Sequence, residues 1–414
     1  MIGWIDFSAE DRALALQILN QGIQPLDELG VGAIRDTFSD LLFPGLTTQQ
    51  TRAKYFCLIP RLLQELVAHA PLEASTDELL EKLHLEERTL AEQMIKQAER
   101  PLGIIGHRSL RSGRWVKIAP SSIYWSGLRR WGIFLGRERS IREYLDEAMD
   151  ERRMRREAQA FRKGGAYRAP HDDPWDDDLQ GAGSMAREPS WHRDFRPERA
   201  GWRMEISIQL TRDEAEALVD RISSACRDSL LPYMLSPSLA ELLGASYTAF
   251  AERLLEEGSL PEQLAETLRL SLEFSTFMGQ ALGVYKALVE VGEAELNPED
   301  IAPLPLRLEH IFALRSQPLH AIDLETQTFV RRLSEAFALE YSPEKVELVC
   351  RLIRERERSL KAEHSRIGRS EQRPISRSEL TYRFPTACQL AKDITQALNE
   401  PSSPSTSPYV SPRA

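Results

Sequence analysis

Cysteine is scarce in this chain. The four copies, Cys57, Cys226, Cys350 and Cys388, are scattered through 414 residues without CxxC or CxH spacing, which argues against a disulfide framework and against a zinc site. Each reads as a small buried apolar residue rather than a reactive thiol. Long hydrophobic runs are missing as well, since none reaches the roughly 18 residues that a membrane helix needs. The opening M-I-G-W-I-D has neither the basic n-region nor the long apolar h-region of an export signal. A reducing cytoplasm is the expected home, with no membrane partner. Equally absent are G-x-x-x-x-G-K-[ST], a G-x-G-x-x-G after a strand, H-E-x-x-H and G-x-S-x-G. Nucleotide hydrolysis, dinucleotide binding and the common hydrolase routes lose their support with them. No catalytic residue, cofactor or metal is assigned from the sequence, and the reading leans away from an enzyme.

What is present is ordinary globular composition, 42% apolar and 28% charged, which excludes a collagen-like or wholly disordered chain. The net charge of -10 hides strong segregation. Residues 1–99 carry 8 basic and 16 acidic side chains, residues 100–170 carry 17 and 7, and residues 213–350 carry 10 and 24. Residues 351–383 are basic again, with 10 against 5. A basic block inside an acidic chain can bind an external anion or dock on the acidic part of its own chain.

Apolar spacing predicts a mainly α protein. Expected helices run over 9–21, then around Ile34–Leu42, then through Tyr55–Leu66 with Pro60 bending the last of these. Two short helices, 76–84 and 86–98, are expected next, and a tight joint between them would be compatible with a helix-turn-helix. Between Gly103 and Pro120, Ile104-Ile105 and Trp115–Ile118 around Ser112-Gly113 suggest a small β-hairpin or wing. A helix from Pro120 follows, and a charged helix covers 137–163. The expected organisation is a helical N-terminal domain with a basic wing-like element (1–163), a flexible acidic, proline-bearing linker (164–202), a helical C-terminal domain (203–400) and a disordered tail (401–414). Glu205–Leu210 alternates like an edge strand, and Thr211 with Glu214 forms a capping box.

Three clusters invite chemistry. Asp172, Asp173, Asp176, Asp177 and Asp178 beside His171 offer hard oxygen ligands, but without EF-hand spacing they read as linker. His310 and His320, near Glu309 and Asp323, have nothing in the sequence to bring them together. The strongest candidate is the basic-aromatic block, in which His107, Arg108, Arg111, Arg114 and Lys117 precede Arg129 and Arg130, which sit between Trp125 and Trp131. Phosphate contacts need cations on a shared face, and aromatic rings offer stacking to unpaired bases. The alternative is that these arginines pair with the acidic helices of 213–350. Arg351–Arg358, with interleaved signs, suits a solvated helix face.

Several segments resemble a bacterial family of unknown function: M-I-G-W-I-D-F-S at 1–8, D-E-L-G-V-G-A-I-R-D-T-F-S-D-L-L-F-P-G at 27–45, T-R-A-K-Y-F at 51–56 and P-S-S-I-Y-W-S-G-L-R-R-W-G-I at 120–133. R-E-R-E-R-S-L-K at 354–361 and L-T-Y-R-F-P at 380–385 are similar to its closing pattern. The resemblance implies a neighbourhood of helicases, DNA methyltransferases and phospholipase-D-like proteins in islands for defence against phage, and it offers no catalytic residues.

The expectation is therefore a non-catalytic cytoplasmic component of an anti-phage system that contacts DNA or RNA, or other defence proteins such as a helicase or methyltransferase. Arg108, Arg111, Arg114, Lys117, Arg129 and Arg130 would meet phosphate, and Trp115, Tyr124 and Trp131 would pack or stack. A protein-protein adaptor using the acidic domain is the alternative, and an enzyme of unrecognised type is a third.

Overall fold

The computed structural model describes residues 28–99, 101–136, 138–163, 189–195, 202–291, 296–304, 306–316, 321–367 and 380–400. The helix expected at 9–21, the aspartate-rich stretch 172–178, His320 and the tail from 401 lie outside them. The protein is mainly α. In chain order the helices are α1 (Gly32–Leu42), α2 (Tyr55–His69), α3 (Thr76–Gln97), α4 (His107–Arg111), α5 (Pro120–Arg130), α6 (Ile141–Lys163), α7 (Arg212–Ala225), α8 (Leu231–Met234), α9 (Tyr247–Glu257), α10 (Glu262–Val291), α11 (Leu308–Ala313), α12 (Leu324–Ala338), α13 (Pro343–Lys361) and α14 (Phe384–Asn399). Among the described residues the only β pairing is a single antiparallel bridge between Phe134 and Trp191.

Two compact units result, and neither follows the order of the sequence. One comprises Met1–Thr48 with Cys226–Lys392, the other Gln49–Ala225 with Asp393–Ala414.

In the first unit α1 packs on α10, and α13 on α10 and α12. The rings of Phe38, Phe274 and Tyr382 gather in its core, as do those of Phe43, Phe250 and Phe384. Here the alternating charges of 351–358 are not all solvated, because Arg356 and Glu357 are buried. Arg356 donates to the carbonyls of Leu29 and Gly30 at 3.0 and 3.1 Å. Glu357 accepts from the Tyr285 hydroxyl and from Ser365 and Arg366. Interleaved signs describe both an exposed face and a buried hydrogen-bonded one, and sequence spacing does not separate them. Glu309 pairs with Arg331, Asp323 caps α12 and His310 is exposed, so among the described residues these side chains do not come together.

In the second unit α2 is the central helix, buried along almost its whole length through Pro60, with α3, α5 and α6 against it. Its Phe56 stacks on Trp131 with centroids 4.0 Å apart. Trp125, Phe134, Tyr144 and Trp191 form a second aromatic cluster. The capping box forms as expected: Thr211 N–H donates to Glu214 and Glu214 N–H to Thr211. The same Glu214 carboxylate meets Lys54 at 2.7 Å and Arg61 at 2.6 Å, all three buried. Burial works to raise the pKa of Glu214, but the two cations hold it below the usual carboxylate range.

Three local expectations are corrected. α3 is one uninterrupted helix with a Ser75–Glu78 capping box, so no helix-turn-helix joint exists at residue 85. Leu79, Leu83, Glu87, Leu90, Ala91 and Met94 continue one buried face across the supposed joint, where neither Gly nor Pro breaks the chain. The expected wing does not form: its middle is α4, and Ile104 and Ile105 are buried anchors instead of strand residues. Glu205–Leu210 buries Ile206, Ile208 and Leu210 in alternation, yet among the described residues it pairs with no strand. Alternation names a buried face and not a ladder partner. Within the stretch read as linker, Trp191 and Phe195 are also core residues.

Candidate nucleic-acid interface

The basic block hangs on the first residue of α2 and on the turn just before it. Thr51 Oγ1 donates to the Gly103 carbonyl at 2.6 Å, Arg52 Nη1 to the Leu102 carbonyl at 3.2 Å, and Ile105 N–H to the Tyr55 hydroxyl at 2.9 Å. Gly103 and Gly106 both have positive φ, +81° and +86°. Each also admits a neighbour where a side chain would stand. A Cβ on Gly103 would lie 2.6 Å from the Arg52 stem, and one on Gly106 would lie 2.4 Å from the Trp115 ring. The loop is therefore held from below by Arg52 and closed from above by Trp115, with α4 starting directly after it. Arg52 is itself fixed by Asp393, whose two oxygens accept from Nε at 3.0 and 2.9 Å.

The outcome is an open cleft of about 590 Å3 lined by Glu99, Pro101, Leu102, His107, Arg108 and Arg111. Leu102, 65% exposed, is an apolar side chain held out among charges. Arg108 and Arg111 lie three residues apart on α4, a spacing that puts both on one helix face. Arg114 follows on the next loop, its N–H donating to the Ser109 carbonyl, and Lys117 is exposed a few residues on. Arg130 is exposed in the last turn of α5, where a cation also suits the helix dipole. Arg129 is half-buried; desolvation draws its pKa down against the pull of Glu138 and Glu143.

Two of the candidate aromatics are corrected to core residues. Tyr124 is fully buried, its hydroxyl accepting from the Thr51 and Arg52 N–H groups and donating to the Arg52 carbonyl. Trp131 is equally buried on Phe56. Neither ring can reach a base in this structure. Trp115 is half-buried over Gly106. The structure thus brings Arg108, Arg111 and His107 together at one cleft, leaves Arg114 exposed on the loop after α4, and withdraws Tyr124 and Trp131, though not Trp115, from the expected platform. Glu99, Pro101 and Leu102 were not singled out from sequence; an apolar residue next to a turn glycine inside a basic block is the signal that could have found them.

Fold and surface together define a mainly α protein with a basic, apolar-floored cleft, and among the described residues there is no cluster that could hold a metal and no helix long and apolar enough to cross a membrane. Residues 1–164 match the model of a family described as a family of unknown function (DUF6361). That span includes the segments at 1–8, 27–45, 51–56 and 120–133, whereas 354–361 and 380–385 lie beyond it. Comparison with curated proteins and with solved structures gave no match.

Proposed function

We propose that Arg108, Arg111, Arg114, Lys117 and Arg130 bind the phosphate backbone of DNA or RNA, and that the chain is a non-catalytic, cytoplasmic member of an anti-phage defence system working beside proteins such as a helicase or methyltransferase. One observation carries the reading. Arg108, Arg111, Arg114 and Arg130 are exposed and make no ion pair among the described residues. Several arginines elsewhere are taken up by the fold, Arg61 by Glu214, Arg203 by Glu65 and Glu86, and Arg152 by the carbonyls of Val67 and Ala70, whereas Arg108 and Arg111 stand together at one cleft. A protein that keeps several cations in water pays in self-repulsion, which an external polyanion relieves.

The test is fluorescence anisotropy of the full chain with labelled single- and double-stranded DNA and RNA across a salt series, beside Arg111→Glu/Arg114→Glu/Lys117→Glu. Each phosphate contact contributes about 0.7 to 0.9 to the slope of log K against log salt. Affinity should fall steeply with salt, and the triple variant should lose most of that slope while keeping its thermal transition. Absence of binding at low salt by the wild type would sink the proposal in favour of the adaptor reading, in which the acidic helices of 213–350 engage a basic protein.

A further inference from the structure

Resting on that reading, we infer that the cleft beside α4 takes one unpaired nucleotide, with its phosphate on Arg108 and Arg111, its base against Leu102, Pro101 and His107, and an exocyclic amino group of that base donating to Glu99. The cleft volume of about 590 Å3 lies inside the range of small-molecule sites, roughly 300–1,000 Å3. Its walls differ in chemistry in the way a nucleotide does. Two cations share one face of α4, while an apolar ledge lies alongside them.

The ledge is rigid. The carbonyl of Leu102 itself accepts from Arg52 and that of the next residue, Gly103, from Thr51, and the chain then plunges inward at Ile104 and Ile105. A single exposed leucine needs no explanation. A leucine fixed beside two cations with no ion-pair partner among the described residues is different, because a strand drawn by the cations is brought onto an apolar surface. In a duplex the flat faces of a base are covered by its neighbours, so only an unstacked base can lie on this ledge. The site therefore favours single strands, loops or flipped bases over regular duplex.

Glu99 adds selectivity. It lines the same cleft yet makes no ion pair with Arg108 or Arg111, leaving its carboxylate to accept a hydrogen bond. A carboxylate accepts from the amino group of cytosine, whereas thymine offers carbonyl oxygens at the matching position and repels it. The preference should run towards amino-bearing bases.

The experiment measures binding of the intact protein to short labelled oligodeoxycytidylate, oligothymidylate and a mixed duplex, for wild type, Leu102→Ser and Glu99→Gln. Expected are tighter binding of oligodeoxycytidylate than of either competitor, and about a tenfold loss for both single strands in Leu102→Ser with duplex affinity unchanged. In Glu99→Gln, removal of a negative charge should raise affinity for every ligand, while the cytosine-to-thymine ratio falls towards one, since an amide can donate as well as accept. If Leu102→Ser leaves single-strand binding unchanged while salt-dependent binding persists, the nucleotide site is wrong and the backbone reading survives. If the ratio is unchanged in Glu99→Gln, the amino-base assignment falls. No binding of any ligand by the wild type overturns both.

Discussion

Two buried carboxylates of the second unit show how opposite environments give opposite responses to pH. Glu214 sits between Lys54 and Arg61, which hold its pKa down. Its contribution to stability is present above the unfolded pKa and is lost as pH falls through the lower folded value. Glu87 on α3 is buried with no ion pair among the described residues, accepts the Ser121 N–H at 2.6 Å, and has Tyr55 nearby. Burial pushes its pKa from 4.5 up to about 7. The folded state then binds the proton more tightly than the unfolded one, so this residue makes stability decline as pH rises between those values, by at most about 1.4 kcal/mol per pH unit. Glu87→Gln keeps an acceptor for Ser121 and removes the titration. Its urea midpoint should exceed that of the wild type at pH 8 and match it near pH 4; an equal deficit at both would disprove the assignment. Glu214→Gln strands two buried cations and should cost about 3–5 kcal/mol at neutral pH, read as a lower urea midpoint at unchanged slope. At this scale the sequence was only partly legible. The Thr211–Glu214 cap was readable, because its partners are three residues apart. The two cations that use the same carboxylate are more than 150 positions away, and no local pattern points to them. The candidate site divides in the same way: the exposed arginines were visible as charge, but the burial of Tyr124 and Trp131 depends on Phe56 and on backbone groups of Thr51 and Arg52, brought in from some 70 residues upstream.

At the scale of elements, helices with one strong apolar face were found from spacing alone, among them α1 and α2. The errors fell where spacing is ambiguous, at the supposed joint inside α3 and in the loop built around Gly103 and Gly106. That loop owes its shape to positive φ and close approach, which sequence marks only as glycine. Gly30 makes the same demand in the first unit. Its φ is +69°, and a Cβ there would lie 2.7 Å from Arg356 Nη2 and 2.9 Å from Leu360. Gly30→Ala therefore combines left-handed strain of about 1–2 kcal/mol with displacement of a guanidinium that bonds the Leu29 and Gly30 carbonyls. A loss of at least about 2 kcal/mol in chemical unfolding is expected, and a neutral result would mean that the loop relaxes freely. The arginine-rich α6 offers a paired comparison. Arg152 caps the Val67 and Ala70 carbonyls at the end of α2, whereas Arg156 is exposed. Arg152→Ala should cost about 1.5–3 kcal/mol, the range for hydrogen bonds to a charged group, and Arg156→Ala should stay within about 0.5 kcal/mol. Equal losses for the two would show that net charge, and not the cap, is what α6 supplies.

For the whole molecule, the decisive feature is that each compact unit is assembled from separated stretches of chain. The first needs residues before Thr48 together with Cys226–Lys392. Leu29, Phe38, Leu42 and Phe43 are completely buried in it, and at about 1.5–3 kcal/mol per side chain their removal forfeits an amount comparable to the stability of an ordinary domain, about 5–15 kcal/mol. A fragment of residues 203–400 lacks them all. A fragment of residues 1–163 lacks Glu214, leaving Lys54 and Arg61 buried without their carboxylate, and lacks the Trp191 and Phe195 side chains that complete the aromatic core. Neither fragment should show the sharp thermal transition of the intact chain, although the low-complexity composition around Pro170–Asp178 makes this the natural place to cut. A cut made after folding is a different matter. The second unit includes chain on both sides of residue 182, so a protease site inserted between Gly181 and Gly183 and cleaved in the native protein should yield two pieces that co-elute and still melt together. Two fragments that fold separately, with transitions adding up to that of the intact protein, would show instead that 164–202 is a true boundary and that the long-range pairs through Glu214 are dispensable. The co-eluting outcome would place the basic cleft on a unit that needs both halves of the chain, and nucleic-acid binding should then be lost by the 1–163 fragment even though every cation of the cleft is present in it.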